Sequence, residues 1–412
     1  MKVKILLLRV FMIVGVLLVA FSLPACRPQE SENIILWTYL STQQEMETLQ
    51  NVVDTWAAET GNTVEVIQYP YFEMLGKVET TFPAGEGPDL FEYPHTNVGI
   101  WSEAGLIAPL PDNALSEEEL ANYQISGLNA FTTANTLYGI PQIADTVIML
   151  YNKALVSDPP ETMEELVIMA HQLTTDDIYG FLLLDDNVWF SWGFISGYGG
   201  YIFGEQEGSY NPNDIGVFSK NTADGMDYLM TLRNEEGLIP TDLDWNVITG
   251  KFTEGKVAMM FMNANQASIY EEAGIDVGIA VLPQLPNGEM PHPMINFHGW
   301  GVNPYSQKQE AAAQLAVYLG ANLPVSLFEA SNGNIPVRSD VLTDPLIANN
   351  PDAIAAVQQV GYGQPVPNIS EMSLAWTPLD NAFKLVARGE ESTVQALMEA
   401  SEAIRQAIEN QE

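Results

Sequence analysis

The fold is indicated by an alternation that begins at Ile34-Ile35-Leu36-Trp37, an apolar run with the length of a buried strand. A helical pattern of apolar residues follows and is stopped by Gly61-Asn62, and Val64-Glu65-Val66-Ile67 is the next strand. A second helical pattern leads to a third strand at Asp89-Leu90-Phe91-Glu92-Tyr93. Strands that alternate with helices in this way predict a doubly wound parallel sheet flanked by helices.

Ligands of such sheets bind beyond the carboxyl ends of the strands. In this sequence the rule points to residues 39–42, which follow the first strand, and to residues 93–97, which end and follow the third. We therefore expect ligand contacts in these two segments.

A second lobe is predicted to start near Asp145, which interrupts an apolar strand pair over residues 139–153. Thr162 and Glu165 form a capping box that opens a new helix. Prolines between residues 283 and 293 exclude a helix or a sheet interior, so the chain is expected to return to the first lobe there.

A third crossing is predicted at residues 334–337, and from Asp352 onward the pattern is mostly helical, which favours packing on the second lobe. The predicted two-lobed α/β fold has hinge crossings between the lobes. The predicted boundaries are 34–144 and 296–335 for lobe 1, and 145–295 and 336–412 for lobe 2.

The N-terminal segment has the pattern of a secretion signal. Basic residues precede an apolar run over residues 10–21, and Ala25 stands directly before Cys26, the one cysteine of the chain. We predict a lipoprotein signal peptide over residues 1–25, a lipid anchor on Cys26, and a tether over residues 26–33. The alternative is an ordinary signal peptide with an incidental cysteine.

The chain is strongly acidic, with 53 Asp and Glu against 15 Lys and Arg. Removal of the predicted leader takes away three basic residues and no acidic ones, which leaves a formal charge of −41. Such a charge repels nucleic acid and keeps a protein soluble and monomeric. We expect a monomer without a nucleic-acid partner, and with no membrane contact other than the lipid anchor.

The sequence carries no recognised catalytic or cofactor motif: G-x-S-x-G, H-E-x-x-H, the P-loop and G-x-G-x-x-G are all absent. The four histidines are too scattered to indicate a metal site. We therefore predict no enzyme activity, no cofactor and no metal.

Aromatic residues lie beside short polar residues near the predicted strand ends. This combination suits a sugar, because pyranose rings stack on aromatic faces while their hydroxyl groups need fixed donors and acceptors. Basic residues are almost absent from the same segments, which favours a neutral ligand. Trp56 and Trp192 occupy core-like positions. The aromatic candidates are Trp37, Tyr39, Tyr93, Trp189, Trp192, Trp300 and Trp376. The nearby polar candidates are Asp145, Asp185, Asp186 and Asn187.

The chain resembles the maltose- and maltodextrin-binding proteins of ATP-driven sugar importers, within the larger family of extracellular solute-binding proteins. The resemblance spans nearly the whole mature chain and implies two α/β lobes that close over a ligand. The stretches that carry it are Gly87-Pro88-Asp89, Tyr151-Asn152-Lys153, Pro159-Pro160, Thr162-Met163-Glu164-Glu165, Phe190-Ser191-Trp192, Gly199-Gly200-Tyr201, residues 252–259, Val281-Leu282-Pro283, Pro367-Asn368-Ile369, Met372 and Trp376.

By this resemblance, Asp145 is the acid beside the hinge, and Trp189 and Trp376 are aromatic residues that stack on the sugar. Several positions depart from the family pattern, mostly where the family has charged groups. These departures are Ser41, Thr42, Tyr93, Thr96, Asn97, Asn187 and Gln266. The complete predicted ligand-binding set is Trp37, Tyr39, Ser41, Thr42, Tyr93, Thr96, Asn97, Asp145, Asn187, Trp189, Gln266, Trp300 and Trp376.

The resemblance implies a lipid-anchored protein outside the cytoplasmic membrane that captures a neutral oligosaccharide and delivers it to the permease subunits of an ABC importer. A maltodextrin or another gluco-oligosaccharide is the expected ligand. Two alternatives stay open. One is a secreted glycoside hydrolase, which would need a second carboxylate opposite Asp145. The other is a sugar-binding surface sensor that serves no permease.

Overall fold

The predicted alternation of strands and helices is present in the structure, a computed structural model. The predicted signal peptide and the predicted lipid acceptor Cys26 lie outside the residues that the structure describes. Residues 33–412 form one compact unit. The described residues are 32–206, 209–241, 243–331 and 334–410.

The described strands are β1 (Asn33–Thr38), β2 (Thr63–Gln68), β3 (Leu90–Pro94), β4 (Thr132–Thr133), β5 (Thr136–Leu137), β6 (Ile140–Asn152), β7 (Tyr179–Leu182), β8 (Phe203–Gln206), β9 (Ser209–Ile215), β10 (Val257–Asn263), β11 (Val277–Ala280), β12 (Met294–Val302), β13 (Ile335–Pro336) and β14 (Gln364–Pro365). The described α-helices are α1 (Gln43–Thr60), α2 (Tyr71–Thr81), α3 (Val98–Glu103), α4 (Glu117–Ala121), α5 (Ile125–Ala130), α6 (Met163–Leu173), α7 (Val188–Gly197), α8 (Lys220–Asn234), α9 (Trp245–Thr253), α10 (Ala267–Glu272), α11 (Gln309–Asn322), α12 (Pro324–Ala330), α13 (Pro345–Ala348), α14 (Pro351–Tyr362), α15 (Met372–Ala387) and α16 (Thr393–Glu409).

The main sheet is mixed, and its central strand order is β2-β1-β3-β12-β6-β10-β7. The three strands predicted first are parallel to one another, as the alternation indicated. We refer to β1, β2, β3 and β12 as the first half of the sheet and to β7, β10 and β11 as the second half, with β6 shared by both. β12 runs antiparallel to β3, and β6 runs antiparallel to β12, so β6 has the same direction as β1, β2 and β3. The local pattern does not reveal these directions.

β6 corrects one sequence prediction, because residues 139–153 were expected to form a strand pair interrupted by Asp145. The structure has a single strand of 13 residues, all of them buried. Residues up to Thr146 pair with β12, and from Val147 onward the partner is β10. Asp145 therefore lies where one strand passes from the first half of the sheet to the second, which explains an acid within an apolar run.

The helix ends follow from capping chemistry. Thr42 caps α1 and Thr162 caps α6, each with a reciprocal bond from the glutamate three residues later. The second of these capping boxes was predicted from the sequence and is confirmed. α1 ends at Gly61, whose φ of +77° suits a residue without a side chain. Trp56 and Trp192 are buried in the core, as predicted.

The later crossings position the site. The proline-rich segment lies between β11 and β12, and β13 pairs with β6 at Ile143 and Ala144. The C-terminal helices α15 and α16 pack against α7 and α8 in the second half.

Within the described part of the chain, no single helix has the length and apolarity of a membrane span. The helices α11 and α12, which are bent by 59° relative to each other, have that length and apolarity only when the two are taken together.

Candidate ligand-binding cavity

A cavity of about 110 Å³ lies where β6 passes between the two halves of the sheet. The segment after β1, the strands β3 and β12, and the start of α1 line one side, and the turn after β10 and the start of α10 line the other. The lining residues are Tyr39, Leu40, Ser41, Thr42, Glu45, Glu92, Ile143, Ala144, Asp145, Asn265, Gln266, Ser268, Ile269, His298 and Asn334.

A larger groove between residues 109–114 and α11 has neither an aromatic ring nor a buried unpaired polar atom among its described lining residues. Chemistry therefore favours the smaller cavity as the candidate site.

Asp145 lines this cavity and is buried, with 8% of its surface exposed. Its Oδ1 atom has no hydrogen-bond partner among the described residues. Burial raises the pKa of Asp145 to about 7, although the backbone N–H groups of Thr146 and Asn265 act in the opposite direction. The carboxyl group of this cavity-lining residue therefore has one acceptor atom without a described partner.

Glu92 is a second buried acid of the cavity, and sequence reasoning missed it. It lies in the middle of β3 and is 1% exposed. Its Oε2 accepts hydrogen bonds from the Thr38 hydroxyl at 2.5 Å and from the Tyr39 backbone N–H at 3.2 Å. Burial raises the pKa of Glu92 to about 7, and the nearby negative charge of Glu45 adds to this effect. The signal available in the sequence was one acid inside the apolar strand Leu90-Phe91-Glu92-Tyr93.

Neutral aromatic groups complete this side of the cavity. The hydroxyl group of Tyr39 is 2.5 Å from Nδ1 of His298, and the two rings meet edge to face. The ring of Tyr71, on α2, meets Tyr39 at a centroid distance of 4.9 Å. Burial lowers the pKa of His298 to about 3, and the neighbouring His95 adds to this effect, so the imidazole is neutral at physiological pH. None of the residues described around the cavity is a lysine or an arginine.

Five of the predicted ligand-binding residues line this cavity. Asp145 and Tyr39 contribute the groups described above. Thr42 caps α1 with its side chain, Ser41 is exposed beside it, and Gln266 enters from the opposite side. The segment after β1, to which the rule about strand ends points, therefore lines the cavity, and a ligand contact for each residue stays a prediction.

Trp37, Tyr93 and Trp300 require a correction, because the structure places them in the core and away from the cavity lining. Trp37 is 6% exposed, and Tyr93 and Trp300 are 0% exposed. Trp37 packs against Tyr69 at a centroid distance of 4.9 Å, and the Tyr93 hydroxyl donates to the backbone carbonyl of Tyr138 at 3.1 Å. All three side chains are buried in the core and none of them lines the cavity, so they are not part of the site.

The other five predicted residues are partly exposed but do not line this cavity. Asn187 caps α7, and Trp189 donates from Nε1 to the Asn263 side chain at 2.6 Å. Trp376 lies on α15 against the core of the second half. Their ligand contacts stay predictions. The remaining two residues follow β3 in a short turn and are Thr96 and Asn97.

The comparison with known proteins agrees with this architecture. A profile of the bacterial extracellular solute-binding protein family matches residues 41–322. The chain belongs to this family. The resemblance predicted from the sequence motifs is thereby confirmed.

Individual members of the family are similar over almost their full length. A galactooligosaccharide-binding protein of Bacillus subtilis strain 168 is 30% identical over 403 residues, which is 94% of this chain and 94% of that protein. A maltodextrin-binding protein of the same strain is 26% identical over 422 residues, which is 98% of each chain. The crystal structure of a cyclo/maltodextrin-binding protein complexed with maltotetraose has a TM-score of 0.84 and 28% identity, with 92% of this chain and 98% of that one covered.

The predicted fold class is also confirmed, because the structural neighbours are two-lobed binding proteins of mixed α/β architecture. The residue boundaries of the two lobes stay a prediction. The passage of β6 between two sets of sheet partners near residue 146 agrees with a boundary close to Asp145.

Proposed function

We propose that this chain is the capture subunit of an ATP-driven importer and that it binds a neutral oligosaccharide between its two lobes. The observation that carries the proposal is the cavity beside the point at which β6 changes strand partners. Residues from both sides of this point line the cavity. It combines unpaired carboxylate oxygens with tyrosine and histidine rings and has no basic residue among its described lining residues. Such a site accepts hydrogen bonds from hydroxyl groups and disfavours anionic ligands.

Two ligand classes are supported by relatives of the chain. A maltodextrin is the first candidate, because the solved neighbour with the TM-score of 0.84 holds maltotetraose. A galactooligosaccharide is the second, because the relative that binds such sugars is 30% identical to this chain. At four positions where the resemblance implies charged residues, this chain has the neutral residues Ser41, Thr42, Thr96 and Asn97. The loss of these charges agrees with a preferred sugar other than maltose.

A thermal-shift panel tests the proposal. Maltotetraose, a β-1,4-linked galactotetraose and a tetramer of galacturonic acid would each be added to the purified protein. A ligand present at 100 times its dissociation constant adds about 2.7 kcal/mol to the free energy of unfolding. We expect a raised melting temperature with one or both neutral sugars and no change with the anionic one. Failure of every neutral oligosaccharide in a broader panel would refute the proposal.

The hydrolase alternative now has a second carboxylate, because Glu92 and Asp145 line the same cavity. The relatives described above are binding proteins, and we therefore propose that no bond is cleaved. Incubation with each neutral tetramer, followed by chromatography of the sugars, tests this point. Release of shorter sugars would favour the hydrolase.

We further propose that Cys26 anchors the protein outside the cytoplasmic membrane, where it works as a monomer and delivers the sugar to permease subunits. The support is the leader pattern that ends at Cys26 and a streptococcal relative named as a solute-binding lipoprotein of a maltooligosaccharide ABC transporter.

A further inference from the structure

The two oxygens of the Glu92 carboxylate have different surroundings. Oε2 accepts two hydrogen bonds, from the side chain of Thr38 and the backbone of Tyr39, which fix the orientation of the group. Oε1 is buried, lies in a residue that lines the cavity, and has no partner among the described residues. Unsatisfied buried acceptors are rare in native proteins and need a physical explanation.

Among the described residues that line the cavity, no lysine or arginine compensates the charge of Glu92. The titratable groups that line the cavity together with Glu92 are acidic, phenolic or neutral: Glu45 of α1, Tyr39 after β1, Asp145 of β6 and His298 of β12. Tyr71 of α2 lies close enough for Glu92 to influence its titration. A buried carboxylate without a cationic partner is costly to ionise, so a hydrogen-bond donor at Oε1 would stabilise its ionised form.

We propose that Glu92 is a ligand-contacting, specificity-determining residue whose Oε1 accepts a hydrogen bond from a hydroxyl group of the bound oligosaccharide. This inference rests on the proposed function. Asp145 Oδ1 is a second free acceptor of the same cavity, so the site presents two fixed acceptors to the sugar. The ligand must then offer a hydroxyl donor to each carboxylate, and a sugar whose hydroxyl at either position is removed binds more weakly.

Glu92→Gln is a sharp test because the local hydrogen bonds dictate how the amide is oriented. Two donors, from Thr38 and Tyr39, already point at the position of Oε2. We expect the amide oxygen of glutamine to take that position, which puts its NH₂ group in the place of Oε1. The substitution thus converts the free acceptor into a donor while the shape of the side chain is kept.

The matched control is Asp89→Asn, the same loss of a buried carboxylate three residues earlier in the chain. Both oxygens of Asp89 are occupied, by the backbone N–H of Ile35, the hydroxyl of Ser306 and the ammonium group of Lys308. We expect this variant to lose stability but to keep the wild-type affinity for the sugar.

Titration calorimetry with maltotetraose and with β-1,4-linked galactotetraose would be run near pH 7, in two buffers of different ionisation enthalpy. A hydroxyl donor favours the ionised carboxylate, so binding should lower the pKa of Glu92 and release protons. For whichever sugar binds the wild-type protein, we expect Glu92→Gln to bind about tenfold or more weakly. This variant should also release fewer protons than the wild-type protein or Asp89→Asn.

The possible outcomes separate the two proposals. If the wild-type protein binds a sugar and Glu92→Gln binds it equally well, the inference is wrong and the proposed function stands. Weaker binding with unchanged proton release means that Glu92 merely holds Thr38 and Tyr39 in place, which also overturns the inference. If the wild-type protein binds no oligosaccharide, the proposed function and this inference fail together.

Discussion

Asp145 is a carboxyl group buried without a basic partner among the described cavity residues, and this has a consequence for stability. Its pKa rises from 3.8 to about 7 on folding. The folded protein therefore binds more protons than the unfolded chain between these values, and ionisation of Asp145 destabilises the fold progressively as the pH rises through this window. The ionised acid is therefore an unfavourable group of the folded chain, and we expect a hydroxyl donor of the sugar to compensate it.

Asp145→Asn should therefore stabilise the ligand-free protein. We expect the free energy of unfolding at pH 7.5 to exceed that of the wild-type protein by about 1–2 kcal/mol, and the difference to vanish below about pH 3, where Asp145 is protonated in both the folded and the unfolded chain. Urea denaturation of both proteins across this pH range measures the effect. A variant less stable than the wild-type protein at pH 7.5 would contradict it. Sugar binding should weaken in the same variant, because a charged acceptor is lost.

Trp376 is partly exposed on α15, as expected for a residue that stacks on a sugar rather than filling the core. Trp376→Ala should cost about 2 kcal/mol or more of binding free energy, a loss of at least ~30-fold, measured by calorimetry with maltotetraose or galactotetraose. The loss should exceed that of Asp145→Asn. A fully buried tryptophan cut to alanine costs about 3–5 kcal/mol of folding stability. A stability loss of that size in the ligand-free variant would place Trp376 in the core instead.

A buried ion pair links the connection between β7 and α7 to the helix α8. Arg233, in the last turn of α8, donates to both oxygens of Asp185, and both side chains are almost fully buried. Asp185 was considered from the sequence as a polar neighbour of the sugar site, but its two oxygens are engaged by Arg233. The pair instead fixes the segment from which Asn187 and Trp189 begin α7.

Asp185→Asn should be strongly destabilising, because it leaves the guanidinium group of Arg233 buried without its charge partner. We expect a loss of about 3–5 kcal/mol in the free energy of unfolding, measured by urea denaturation. The control is Lys220→Ala, which breaks the exposed ion pair with Asp224 on the same helix. That change should cost no more than about 0.5 kcal/mol. Equal effects of the two substitutions would show that burial of the Asp185 pair is unimportant.

Local patterns predicted the elements well, and long-range contacts account for what they missed. The strands β1, β2 and β3 and the capping box of Thr162 follow from neighbouring residues, so the sequence revealed them. The contact between Tyr39 and His298 joins residues 259 positions apart, and no local period indicates it. Trp300 was assigned to the site because tryptophan suits a sugar, but which face of β12 it occupies depends on strand pairing. Asp145 was predicted to lie beside the hinge, and because an acid interrupts the apolar run, the sequence indicated two strands where the structure has one.

The two halves of the protein are expected to close on the sugar, because the cavity takes residues from both. Small-angle X-ray scattering with a saturating neutral tetramer should show a smaller radius of gyration than the ligand-free protein shows. An unchanged radius at full occupancy would argue against a hinge motion while leaving sugar binding intact. The anionic tetramer serves as the control that should cause no contraction.

The predicted lipid anchor governs where the whole molecule resides. Cys26→Ala should release the protein from membranes or block removal of the leader, because the sequence has no other thiol. Fractionation of cells after a high-salt wash measures the effect, with the wild-type protein as the membrane-bound reference. A variant that stays fully membrane-associated would contradict the anchor.

The passage of β6 from one set of partners to the other gives Asp145 an unusual mechanical position. If the lobes rotate about this strand, a group at the pivot travels least, whereas Tyr39 and Gln266 on opposite sides travel further. The carboxylate of Asp145 then keeps nearly the same position in the open and the closed arrangement of the lobes. A sugar can bind to this carboxylate before the lobes close around it, so the association rate constant is not limited by the rate of lobe closure.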